Sequence, residues 1–395
     1  MKNILLCALV FISSFSFGAE ESIQDLFTLD TIITIPQSNL YRDKINLTCF
    51  EDEIWIYTPG KRDDTLDFTV INTKTKACKY LFCPFPSMYF KISDPSSTDI
   101  SVSAKFITIF MPSDKQLFVI ERKKNRIKLK AIIPIKEDLD FLTLKGDELY
   151  FAKHYNFHPN TSDKKTMMGK YNLITNQLER FIVPDFKNIE FSHFNPKHWV
   201  DFGDKLNFFS QTTEYKINIY NNNLDCVDSI LRFKKDWSAT SQDQLNKVYE
   251  LKSSSKSLIN LLEPFEDEIT RVEAIYQMND EFLFVVWIPP FHKKNNYYRK
   301  LDVWKKNKEG KFELVKENLL DAKFSLSDTI TKSNFPIRMN FNTNYFYSNK
   351  LIQWKFGTGV DPLNRTQKEV YALNEEYSMG NDEKYVIKIF TINEF

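Results

Sequence analysis

One unit recurs along this chain and leaves little choice of fold: a short run of β-branched and aromatic residues, a tight polar turn, and a second such run. Leu47 to Phe50, the turn Glu51-Asp52-Glu53 and Ile54-Trp55-Ile56-Tyr57 form the first instance. Phe141 to Leu144 and Leu149-Tyr150-Phe151 flank Lys145-Gly146-Asp147-Glu148, and Trp199 to Phe202 and Leu206 to Phe209 flank Gly203-Asp204-Lys205. The pattern returns around Asn279-Asp280-Glu281 and around Ser348-Asn349-Lys350. Turn formers between runs of high β propensity mark hairpins. The 35 Phe and 18 Tyr supply much of that propensity.

Each hairpin is followed by another, as with Leu66 to Ile71 before Asn72-Thr73-Lys74 and Tyr215 to Tyr220 before Asn221-Asn222-Asn223. Two hairpins in series make a four-stranded antiparallel meander. Meanders that cannot bury both faces alone stack around an axis, as in a β-propeller. Six blades are read: Lys44 to Cys83, Met88 to Pro134, Asp138 to Pro184, His198 to Phe233, Thr270 to Leu320 and Arg338 to Phe395. In the second, the turn Ser113-Asp114-Lys115 fits between the second and third strands. The sixth lacks a final strand after Tyr385 to Ile392, while Leu29 to Ile35 is spare. Pairing those two segments would close the ring.

From Asp236 to Ile269 the β pattern gives way to Leu245, Val248 and Tyr249, then Leu258, Leu261 and Leu262, at helical spacing. The expected fold class is therefore all-β: a six-bladed propeller of four-stranded antiparallel blades, closed by an N-terminal strand, with a short helical insertion (236–269) between blades four and five. The turn grammar, clearest at Asp147-Glu148-Leu149-Tyr150-Phe151, resembles the six-bladed propellers of the TolB-like superfamily, which includes many exported bacterial members. That resemblance implies a fold and no activity, because propellers host many unrelated ones.

Lys2, the apolar run Ile4 to Ile12 and the small residues around Ser16-Phe17-Gly18 read as a cleavable signal peptide over residues 1–19, leaving a single propeller domain over 20–395. Cys7 lies inside the apolar run, where a lipid-attachment cysteine should follow it. No later stretch is long and apolar enough for a spanning helix, so a secreted or periplasmic location is expected. Interspersed charges, 53 basic against 52 acidic, argue against nucleic acid as a partner. Export permits disulfides, yet Cys49, Cys78, Cys83 and Cys226 are read as small buried hydrophobes. A monomer is expected.

All five histidines fall in connections that a meander opens onto one face: His154 and His158, then His193 and His198, then His292. As metal ligands they would have to converge on one ion, with Asp163 or Asp185 as further donors; spacing alone does not show convergence. Aromatic, Arg and Asp residues of the same loops suit stacking and bidentate hydrogen bonding to a ligand: Trp287, Tyr297 and Arg299, with Asp361 and Arg365. There is no nucleophile elbow, phosphate loop or dinucleotide fingerprint. Catalytic residues are therefore unassigned, and no cofactor is expected. The sequence favours a binding or scaffolding module that takes a protein, peptide or glycan on one face. The alternative is a metal-assisted hydrolase or lyase with a histidine-lined site, holding a divalent metal at the channel mouth.

Overall fold

The structure is a computed structural model that describes residues 26–36, 46–59, 65–84, 99–111, 115–123, 126–135, 141–153, 167–182, 200–210, 214–232, 270–288, 296–297, 300–320, 324–325, 344–347, 350–357 and 384–393. Strand β1 (Phe27–Pro36) comes first in the chain but belongs to the last blade. Blade one is β2 (Asn46–Phe50), β3 (Glu53–Pro59), β4 (Thr65–Asn72) and β5 (Cys78–Pro84); blade two is β6 (Asp99–Val102), β7 (Phe106–Met111), β8 (Gln116–Lys123) and β9 (Arg126–Pro134). Blade three is β10 (Phe141–Lys145), β11 (Glu148–Lys153), β12 (Met167–Asn172) and β13 (Gln177–Ile182); blade four is β14 (Val200–Phe202), β15 (Leu206–Ser210), β16 (Lys216–Asn221) and β17 (Cys226–Leu231). Blade five contains β18 (Arg271–Met278), β19 (Phe282–Ile288), β21 (Lys300–Lys306) and β22 (Phe312–Leu320). Between them, β20 (Asn296–Tyr297) pairs with β23 (Phe324–Ser325) in a separate two-stranded ladder that the sequence grammar does not foretell.

Blade six is β24 (Asn344–Tyr347), β25 (Lys350–Gly357) and β26 (Lys384–Ile392), with β1 added outside β26. The expected closure is present: Phe27 pairs with Ile392 and Ile35 with Tyr385, antiparallel. Asn393 clasps the junction, its N–H donating to the Leu26 carbonyl at 2.8 Å and its Oδ1 accepting from the Thr28 hydroxyl at 2.6 Å. The described strands of all six blades fall within the predicted limits to one residue; Met88 and Arg338, the predicted starts of the second and sixth blades, lie outside the described residues. The helical insertion at 236–269 and the signal segment at 1–19 lie outside the described residues.

The blades form a ring. β2 touches β6, β6 touches β10, β14 touches β18, β18 touches β24, and β24 returns to β2. The seam between blades three and four is filled by Tyr150, Ala152 and Met168 against Val200, Phe202 and Phe209. A blade is therefore covered on both faces, and its second strand must be apolar at consecutive positions. Ile54, Trp55, Ile56 and Tyr57 are all at most 1% exposed, and Phe106 to Met111 are all buried. Outer strands are less covered: in β5 only Cys83 is buried, and in β17 only Ile230. Removing this alternating apolar surface from water is the main force holding seam to seam.

Inner strands have an unpaired hydrogen-bonding edge, and side chains tie some of it to the next blade. Ser101 Oγ in β6 accepts the Leu144 N–H of β10 at 2.7 Å, and Asp201 in β14 accepts the Gln277 N–H of β18. The two acceptors hold matching places, since Ser101 pairs with Thr108 and Asp201 with Phe208 in their own blades.

Candidate functional site

An antiparallel meander sends its first and third turns to one end of the blade and all other connections to the opposite end. The first end is built from short turns with a repeated internal logic. Asn72, Asn172, Asn221 and Asn307 each close the third strand or follow it directly, and each turns its Oδ1 back onto two backbone N–H groups of the turn. Asn72 accepts from Lys74 at 3.1 Å and Thr75 at 2.8 Å, and Asn172 from Ile174 at 2.8 Å and Thr175 at 3.0 Å. Asn221 accepts from Asn223 and Asp225, and Asn307 from Glu309 and Lys311. This is the Asx turn, in which a short carbonyl side chain replaces a backbone acceptor. Each turn then needs one left-handed residue: Lys76, Asn176, Leu224 and Gly310 have φ of 57°, 61°, 60° and 84°. Only Gly310 adopts that conformation without steric cost.

At the same end, Lys145 closes β10 and reaches under blade four. Its Nζ donates to Asn207 Oδ1 and Asn222 Oδ1, each at 2.7 Å, and stands 4.4 Å from the centre of the Tyr150 ring. Asn207 is fully buried and passes its own Nδ2 hydrogen to the Asn221 carbonyl at 2.9 Å. The Tyr150 hydroxyl lies 2.7 Å from the Asn222 carbonyl and 2.9 Å from Glu148. Burial lowers the Lys145 ammonium to about 8, against the opposing pull of Asp280, Asp204, Asp201 and Glu148. Burial also pushes the Tyr150 phenol upward, helped by Glu148. Beside it, Lys170 bridges Glu148 at 2.9 Å and Glu179 at 3.3 Å.

Other seams are bolted in the same manner. Arg122 pairs with Glu53 across blades one and two and lies over Trp55, 4.9 Å from its ring centre. Lys105 meets Asp147 at 2.8 Å, and Arg180 meets Asp225 at 2.8 Å. Between blades four and five, Arg232 Nη1 donates to the fully buried Asp302 at 2.6 Å, and Trp304 Nε1 donates to the Tyr215 hydroxyl at 2.9 Å. The Arg232, Asp302 and Tyr215 contacts lie toward the other end, where β16 and β21 begin and β17 ends; the remaining pairs commit polar groups of the short-turn end to neighbouring turns and blades.

The opposite end differs. From it leave short connections, 60–64, 112–115, 135–140 and 211–215, and longer ones, 37–45, 85–98, 154–166, 183–199, 232–270, 289–299, 321–343 and 358–383, measured between the four-stranded blades' strand ends. Most residues proposed from sequence for function belong to these segments. His154, His158, His193, His198, His292, Arg299, Asp361 and Arg365 all lie outside the described residues, as do Asp163 and Asp185. Tyr297 is placed in the two-stranded ladder of β20 with β23, opposite Phe324. Trp287 is described fully: it is 1% exposed, packs in the seam of blades four and five with Val272, Leu283 and Val285, and carries Lys300 Nζ 5.0 Å from its ring centre. Its observed contacts are those of a core residue. Among the described residues, no group of three or more His, Cys, Asp or Glu side chains is placed to hold a metal ion.

The reading of all four cysteines as buried is corrected. Cys49 and Cys83 are buried, whereas Cys78 and Cys226 are exposed, and all four are free thiols. Each exposed cysteine is the first residue of an outer strand, where no further blade lies beyond it. The residues missed from sequence are Lys145, Asn207 and Asn222 and the Asx-turn asparagines. An asparagine recurring at the end of the third strand in blades one, three, four and five is the signal that marks the latter.

No family model matches the chain, and no curated protein matches it. Solved structures do. A member of the DUF4221 family from Bacteroides vulgatus is 10% identical over 93% of this chain and 98% of its own, with a TM-score of 0.54. A protein of Bacteroides fragilis described as exported is 11% identical over 94% of this chain and 97% of its own, also with a TM-score of 0.54. This chain shares their fold. At such identity the likeness extends to the fold alone. Among the described residues, no helix is long and apolar enough to cross a membrane.

Proposed function

We propose that this chain is an exported binding or scaffolding module that takes a protein, peptide or glycan on the propeller end from which the long connections leave. The asymmetry of the two ends carries this reading. One end is made of Asx turns and inter-blade bonds that consume its polar groups. The other carries connections as long as 232–270 and 358–383 between the strands of the ring. Recognition residues are concentrated on loops that a stable scaffold positions. The candidates are Arg299, Asp361 and Arg365, with Tyr297 at the β20–β23 ladder. The export part of the proposal rests on the leader at residues 1–19 and accords with the exported description of the Bacteroides fragilis protein. Kinship with TolB-like propellers belongs to the same proposal, supported by the six blades and the N-terminal closing strand.

The test is a screen of the purified protein on peptide and glycan arrays, followed by calorimetry on the hits. Arg299→Ala and Arg365→Ala should each weaken binding at least about tenfold, whereas Lys74→Ala and Lys308→Ala on the short-turn end should leave it unchanged. The reverse pattern would place recognition on the wrong end and end the proposal.

A further inference from the structure

An outer strand presents a row of backbone donors and acceptors to any other strand, and natural sheets guard such edges with bulges, charges or proline. Five of the six outer strands here are guarded by a break in register. Asp30 in β1, Lys130 in β9, Glu179 in β13, Val227 in β17 and Val315 in β22 each sit where pairing with the inner neighbour slips. β5 differs. It pairs residue for residue with β4, from Cys78 opposite Ile71 to Pro84 opposite Thr65.

The same strand carries the most exposed apolar side chain of the described residues. Phe82 is 67% exposed and Tyr80 52%, and both lie on the face of β5 that also carries exposed Cys78. Leu81 and Cys83 point the other way, into the seam with blade two. The strand's single charge, Lys79, is engaged by Glu53 at 2.8 Å. A regular, unbulged, nearly uncharged edge with an aromatic stripe is the feature that negative selection removes from monomers.

We propose that β5 is a self-association edge, through which two copies of this chain pair antiparallel about a twofold axis at Leu81, fusing two blades into one continuous sheet. The strand is self-complementary in that register. Tyr80 stands opposite Phe82 of the copy, and Phe82 opposite its Tyr80, so symmetry supplies the aromatic cross-strand pair twice. Lys79 faces a cysteine rather than another charge, and Pro84, which has no N–H to offer, falls at the end of the ladder. The edge lies on the rim, away from both ends of the ring. The inference therefore stands apart from the proposed recognition end, and replaces the monomer expected from sequence.

Sedimentation velocity on the full mature chain across the micromolar range tests it. A concentration-dependent dimer is expected, and Phe82→Lys should weaken it at least about tenfold, because each lost contact is lost twice. Phe82 is exposed, so this variant should keep the wild-type circular dichroism spectrum. Register is checked by cross-linking in a Cys78→Ser background: Tyr80→Cys and Phe82→Cys should form a disulfide-linked dimer when mixed, and neither should do so alone. A wild-type chain that stays monomeric overturns the proposal and leaves β5 to an extended segment of another protein. A dimer unmoved by Phe82→Lys overturns it in favour of another surface.

Discussion

Lys145 turns burial into a measurable pH dependence. Folding lowers its ammonium from an ordinary 10.5 to about 8, with burial as the leading cause. Below about pH 8 both folded and unfolded chains carry the proton, and the folded state bears the full cost of an ammonium removed from water. Between about 8 and 10.5 the folded chain has released the proton while the unfolded chain still holds it. The unfolded state then binds more protons, so stability rises with pH across that window. For these two values the gain between pH 7 and pH 9.5 comes to about 2 kcal/mol. Lys145→Met keeps the aliphatic stem, removes the titration, and leaves Asn207 Oδ1 without its 2.7 Å donor. The assay is urea unfolding of wild type and variant at both pH values, taking the difference between the proteins. Buried phenols such as Tyr215, raised well above 10 by burial and then by Asp302, oppose the trend as unfolded tyrosines ionise. They are common to both chains and cancel. A difference that stays flat from pH 7 to 9.5 would refute the reasoning and return Lys145 to the class of solvated turn residues.

Three further outcomes follow from named contacts. Deleting residues 29–35 removes the outer strand that pairs with β26, and the cooperative urea transition of the whole domain should be lost; an unchanged transition would mean that the ring closes otherwise. Gly203→Ala puts a Cβ against the carboxamide of Gln277, whose side chain must swing aside, and this should cost about 1 kcal/mol, read from the unfolding midpoint. Arg232→Met leaves the fully buried Asp302 without its cation and should cost about 3–5 kcal/mol, with much of the loss recovered in the double variant Arg232→Met, Asp302→Leu.

What could be read in the sequence was set by local physics. A second strand covered on both faces must be apolar at successive positions, so Ile54-Trp55-Ile56-Tyr57 and Phe282 to Trp287 announce themselves, and the polar turn before each fixes the hairpin. Closure was legible for a different reason: a sixth meander short of a strand and a spare strand at the far end of the chain are complementary counts. Side-chain destinations were not legible, because they depend on the neighbouring blade. Lys145 stands in a turn of solvent-loving residues, and nothing local says that Asn207 and Asn222, 62 and 77 residues further on, will close over it. Trp287 ends a strand where a loop begins, so the sequence admits either a loop aromatic or a seam aromatic; only the packing of Val272 and Leu283 decides for the seam. Cys78 and Cys83 belong to one strand, yet one is exposed and the other buried, since five positions along a strand reverse the face. The same parity puts Tyr80 and Phe82 on the open side of β5. A period-two pattern gives the two faces of an outer strand without saying which of them the ring will cover, and the unbroken register of β5 becomes visible only once its partner strand is known.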